Sequence, residues 1–186
     1  IQAGGTQIVG GVAQAASISG TQHISSGGIA SGTTVNSLGI LAVTSGGSAT
    51  NVTQLAGGAL ITSIGTGINS DVSGTNESGA FAASGTQASN VILNSGGRLN
   101  VSSGGIASST IVNNGGAIYV SSGGSSYYTQ IKSGGNEYIL SGGYGPSATI
   151  SSGGTQTISL GGIDSGSTIQ AGGTQIVGGV AQAASI

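Results

Sequence analysis

Charge is almost missing from this chain. Of its 186 residues only 3% are charged, against about 25% in ordinary soluble domains. Asp71, Glu77, Arg98, Lys132, Glu137 and Asp164 carry all of it, for a formal net charge of −2. So few cations cannot displace counterions from a phosphate backbone, and nucleic acid is excluded as a partner class. Cysteine is absent, so neither disulfides nor thiolate-bound metals contribute. Proline occurs once, as Pro146 in SGGYGPS, and is expected in a corner, because a ladder residue needs its N–H. No apolar run nears the roughly 18 residues of a membrane helix, so no membrane contact is expected within this segment. No stretch has the basic start, apolar centre and small-residue cleavage site of a secretory signal.

Glycine, by contrast, abounds. Its 40 copies are about three times the usual share. Gly and Ser richness often marks disorder, but disorder goes with low hydrophobicity and high charge. Mean hydropathy here is +0.28, and Ile, Val and Leu recur at regular intervals. Regular apolar spacing argues for a buried ladder.

Cutting before each recurring Ile or Val gives starts at Ile1, Ile18, Val35, Val52, Val72, Val91, Ile111, Ile131, Ile150 and Ile169, at spacings of 17–20 residues. The unit is clear in Ile150–Thr168, ISSGGTQTISLGGIDSGST. Its β-branched pieces are too short for helices, and each Gly-Gly pair would break one. Three extended pieces per unit suit one coil of a parallel β-helix. The expected fold is therefore all-β, a right-handed parallel β-solenoid of about ten coils, its hand following the usual crossover rule. Three interior ladders are expected: the Ile/Val starts; Ile8, Ile24, Val43, Leu60, Phe81, Leu99, Ile118, Tyr138, Ile158 and Ile176; and the smaller Val12, Ile29, Ala49, Ile106, Ile163 and Val180. Thr62–Ser84 lacks Gly-Gly pairs, and a bulge or extruded loop is expected there.

The sequence IQAGGTQIVGGVAQAASI fills Ile1–Ile18 and returns unchanged at Ile169–Ile186. Coils around it have diverged, so a larger unit must have been copied. The expectation is one β-solenoid segment, residues 1–186, excerpted from a longer protein built of tandem 168-residue cassettes. Nine coils per cassette predict an axial repeat of about 43 Å, from a strand spacing of about 4.8 Å.

Catalysis finds little support. Asp71 and Glu77 form the sole near pair of carboxylates in sequence, and solvated loop charges explain them better than glycoside hydrolysis. His23 is the single histidine and reads as an exposed strand residue without partners for acid–base or zinc chemistry. The Gly pairs lack the Asp ladder of calcium β-rolls and the Lys of a phosphate loop. No enzyme, cofactor or metal is expected. Tyr119, Tyr127, Tyr128, Tyr138 and Tyr144 fall on three adjacent units. They suit an interaction patch for a partner rod or a sugar ring, and they suit local packing equally.

SSGGIASGTTV at Ser25–Val35, SSGGIASSTIVNNGGAIYVSSGG at Ser102–Gly124 and SSGGTQTISLGG at Ser151–Gly162 resemble the repeats of AIDA/TibA-type autotransporter adhesins. The resemblance spans nearly the whole chain and is weakest across Thr62–Ser84. It implies a secreted bacterial passenger β-helix, held at the cell surface by a C-terminal barrel, that mediates adhesion, self-association and biofilm formation. It implies no catalytic residues. Some relatives carry heptose, for which outward serines such as Ser26, Ser103, Ser122 and Ser152 would be acceptors here. The partners implied are the protein itself, through lateral or end-to-end contact, and host or matrix glycans. An extracellular filament of tandem cassettes is the alternative.

Overall fold

Each short strand in this chain finds its hydrogen-bond partner one coil away rather than beside it in sequence. The computed structural model describes residues 1–186 and contains no helix. Nine strands stack as the first sheet: Thr6–Val9, Thr21–Ile24, Ile40–Val43, Ala59–Ile64, Arg98–Val101, Ala117–Val120, Asn136–Ile139, Thr155–Ile158 and Thr174–Val177. All these neighbours pair parallel. A second sheet holds the three-residue strands from Val12–Gln14 to Val180–Gln182. Two-residue strands from Ile92–Leu93 to Thr168–Ile169 close the third face. The protein is thus a parallel β-solenoid. It has nine coils rather than ten, because Val72–Asn90 is not a coil of its own.

That stretch is a hairpin. Asp71–Asn76 runs antiparallel to Gly79–Ser84, which then pairs antiparallel with Gln87–Ser89 before the parallel stack resumes at Ile106–Ser108. The turn is sealed by Asn76, whose Oδ1 accepts from the Ser78 amide at 2.9 Å, a local Asx turn. Phe81 is buried on the hairpin. The insertion lengthens the second sheet and interrupts the third face. There the Gln54 side chain stands in for strand pairing, donating from Nε2 to the Gly58 and Ile92 carbonyls at 2.9 Å each.

The interior corrects the expected ladders. On the first sheet two columns point inward: Leu41, Leu99 and Ile118 in one, and Val43, Val101, Val120, Ile139 and Ile158 in the other. Ile8, Tyr138 and Ile176 belong to the column between them and face outward. On the second sheet the inward positions are Ala13, Ala30, Ala49, Ala88, Ala107, Ser126, Gly145, Asp164 and Ala181. Val12, Ile29, Ile106, Ile163 and Val180 sit beside them on the solvent side. The third column runs Ile18–Val35–Gln54, then Leu93, Val112, Ile131, Ile150 and Ile169. Val52, Val72 and Val91 are buried elsewhere and Ile111 is half-exposed. Each fully buried Ile contributes about 1.5–3 kcal/mol of burial. Pro146 ends the strand Tyr144–Pro146 rather than lying in a corner. The ladder to the preceding strand Ser125–Tyr127 reaches Tyr144 and stops, as a residue without N–H requires.

The two glycines of a pair serve different needs. Gly115 has φ +73, a backbone region costly to residues with a Cβ. Gly116 is held by contact: an added Cβ would lie 2.1 Å from the Leu93 carbonyl oxygen one coil below. Gly115→Ala should cost about 1–2 kcal/mol. Gly116→Ala should cost more, since the coils cannot part without breaking their hydrogen bonds. Urea unfolding of both variants checks the order; a Gly116→Ala protein as stable as the parent would refute the contact argument.

Candidate functional site

The five tyrosines do not form one patch. Tyr119 and Tyr138 are cross-coil neighbours on the outward column of the first sheet, and their rings stack with centroids 4.8 Å apart and planes 14° apart. Arg98 caps this stack, its guanidinium carbon 5.5 Å from the Tyr119 centroid, within cation–π range. Tyr127 and Tyr144 lie on the second sheet and meet edge to face at 6.3 Å. Tyr128 turns the next corner, 6.4 Å from Tyr127, with φ +56. Two groups therefore face two directions.

Sequence reasoning missed the strongest chemical feature, which is internal. The 19-residue offset puts Glu137 in register with Ile118, and Asp164 in the small-residue column after Ser126 and Gly145. Both carboxylates are fully buried, not solvated. Glu137 Oε1 accepts from Ser126 at 2.7 Å and from Thr129 at 2.9 Å. Gln156 Nε2 donates to Glu137 Oε2 at 2.9 Å and to Asp164 Oδ1 at 3.2 Å, bridging the pair. Ser167 donates to Asp164 Oδ1 at 2.6 Å, and Gln175 to Oδ2 at 3.0 Å. Gln175 also donates to Gln156 Oε1 at 2.7 Å. Every acceptor on the two acids is thereby met by a neutral donor, as burial demands.

No cation joins them, so the group is an internal polar seam. Desolvation by burial pushes the Glu137 carboxyl up from 4.5 to about 7, with hydrogen bonds from Ser126, Gln156 and Thr129 opposing and the Asp164 charge adding. The carboxylates singled out by sequence lie elsewhere. Glu77 is exposed at the hairpin turn, and Asp71 is half-buried beside Ser48, whose hydroxyl donates at 3.4 Å. His23 is an exposed strand residue.

The AIDA family, described as "Adhesin of bacterial autotransporter system, probable stalk", matches residues 73–135. No curated protein matches the chain. Among solved structures, the TibC-catalyzed hyper-glycosylated TibA fragment is 34% identical, the alignment covering 98% of this chain and 82% of that one, with a TM-score of 0.41. The chain belongs to the AIDA/TibA-type autotransporter adhesins. It is an adhesin passenger segment, and its place is outside the bacterial cell or on its surface.

For an AIDA-type stalk the buried seam has a solution consequence. A Glu whose pKa is higher folded than unfolded favours the fold while protonated. That contribution, on the order of 3 kcal/mol, is complete below about pH 4.5 and is lost as pH climbs through about 7. Glu137→Gln keeps the shape and donor capacity of the neutral acid. We expect it to flatten the fall in urea midpoint between about pH 4.5 and 7, and to exceed the parent's stability near pH 8. Parallel pH curves for both proteins would show that Glu137 is ionised throughout.

Proposed function

We propose that this chain works at the bacterial surface as a self-associating adhesin rod, holding cells together and promoting biofilm formation. The observation that carries the reading is the outer surface. Outward positions repeat with every coil, and with 3% charged residues two rods brought side by side meet little repulsion. Hydroxyl, amide and aliphatic side chains fill those positions, so each coil offers a weak contact and aligned coils multiply it. The Tyr119–Tyr138 stack and the Tyr127, Tyr128 and Tyr144 cluster are the aromatic anchors in this reading. Host or matrix glycans are its second partner class. Catalysis has no part in it, because the one linked carboxylate pair is sealed from any substrate.

A filament of tandem cassettes is the second reading, favoured by the terminal coils. Val12–Gln14 and Val180–Gln182 share sequence and burial pattern, and Ala15 and Ala183 share φ +51. The upper edge of the last coil thus offers what the first coil offers to Thr21–Ile24, in the register Thr6↔Thr21 to Val9↔Ile24. A following cassette would continue the stack without a break. Nine strands in the first sheet, the outer two being copies, give eight steps, or about 38 Å per cassette rather than 43 Å.

Both readings meet one test. Beads coated with the purified protein should clump, and Tyr138→Lys combined with Thr157→Lys, adjacent on one outward column, should reduce clumping several-fold with little change in melting temperature. Equal clumping by the doubly substituted protein would exclude this face. End-to-end fibres with an approximately 38 Å repeat in electron micrographs, with no lateral pairing, would favour the filament.

A further inference from the structure

The third face carries a feature that the adhesin reading does not use. Outward side chains there form a grid across successive coils. One coil contributes Tyr128, Gln130 and Lys132, the next Ser147, Thr149 and Ser151, and the one after it Gln170. The middle row is short and its neighbours are long, so the middle coil becomes the floor of a trough of about 300 Å³. None of the six polar side chains in it is hydrogen-bonded within the chain. In other coils some polar side chains bond one another: Asn36 donates to Ser17 at 2.9 Å, Asn100 to Ser63 at 3.0 Å, and Asn113 to the buried Asn94 at 2.8 Å. The trough holds its donors and acceptors open.

Tyr128 forms one end. Its corner is left-handed in coil after coil, and every other residue placed there is Ala, Gly, Asn or Ser, as at Ala15, Asn51, Ser109, Ser147 and Gly166. A bulky aromatic at φ +56 is strained relative to glycine, and backbone strain of this kind concentrates where a side chain is needed. The ring is 62% exposed, so it does not compensate by filling the core. At the other end Lys132 is exposed and no carboxylate lines the trough.

The geometry points to a binding site for an oligosaccharide containing acidic sugars, lying along Ser147–Thr149–Ser151. The hydroxyls and the two glutamine amides meet sugar hydroxyls, the Tyr128 ring covers an apolar sugar face, and the Lys132 ammonium meets a sugar carboxylate. This deepens the glycan side of the proposed adhesin function, and rests on that reading for the surface setting alone.

The test is calorimetric titration of the intact chain with oligogalacturonate, and in parallel with uncharged malto-oligosaccharide. Oligogalacturonate should bind the better, and added salt should weaken it. Tyr128→Ser installs the residue of the adjacent corners Ser109 and Ser147, preserves the fold, and should weaken binding at least tenfold. Lys132→Gln should abolish the preference for the acidic sugar. His23→Ser, exposed on the first sheet, should bind as the parent does. No heat with either sugar, or full affinity in Tyr128→Ser, would overturn the site; equal affinity for both sugars would overturn its acidic specificity. Bead clumping without sugar, measured on the Lys132→Gln protein, should match the parent, because Lys132 lines the trough but is no anchor of self-association, and this keeps the two outcomes separate.

Discussion

Backbone hydrogen bonding from coil to coil sets every other feature of this protein. At a strand spacing of about 4.8 Å, each side chain lies directly over the equivalent one below. Inside, like must stack on like, and small or medium aliphatics do so without gaps. At the corners the same closeness leaves no room for a Cβ, which is why Gly116 is glycine beside the Leu93 carbonyl. Outside, a charge repeated at each coil would confront its copy at close range. Near-neutrality is thus a consequence of the stacking as much as a feature of the surface.

The fold was legible because stacking writes itself into the sequence as a period and a punctuation mark. The faces were harder. A strand's sidedness has a period of two, so an offset of one residue exchanges inside and outside. Ile8, Val12, Ile29, Ile106, Ile163, Ile176 and Val180 are apolar and regular, yet they line the exterior, while the alanines and serines beside them turn in. Hydrophobicity alone could not separate two apolar columns on opposite sides of one strand. The strict 19-residue offset after Arg98 would have done so. It also sets Glu137 over Ile118, a placement that the expectation of solvated charge obscured. The hairpin escaped for another reason: Val72 and Val91 mimic coil starts, and antiparallel pairing within one coil has no periodic signature.

Membership of the AIDA/TibA-type adhesins and the geometry divide the chain's chemistry in two. Its unusual ionisable groups are inside, where Glu137, Gln156, Asp164 and Gln175 satisfy one another and meet nothing from outside. Its outer surface is built of repeated, largely uncharged side chains, and the third-face trough is where polar groups, an aromatic ring and a cation coincide. A rod of this kind holds its shape internally and leaves recognition to rows of side chains. Position along the axis therefore decides which rows a partner meets.

The hairpin coil gives the rod an unequal response to force. A stalk pulled from its ends peels coil by coil, each coil freeing its own contour before the next yields. From Ala59 to Gly97 a single level of the first sheet stores roughly twice the chain of its neighbours, and so about twice the extended reach on release. Under flow, such a level is a built-in slack reserve at a fixed height in the stalk. It lengthens the tether in one large step and lets the surrounding coils keep their grip.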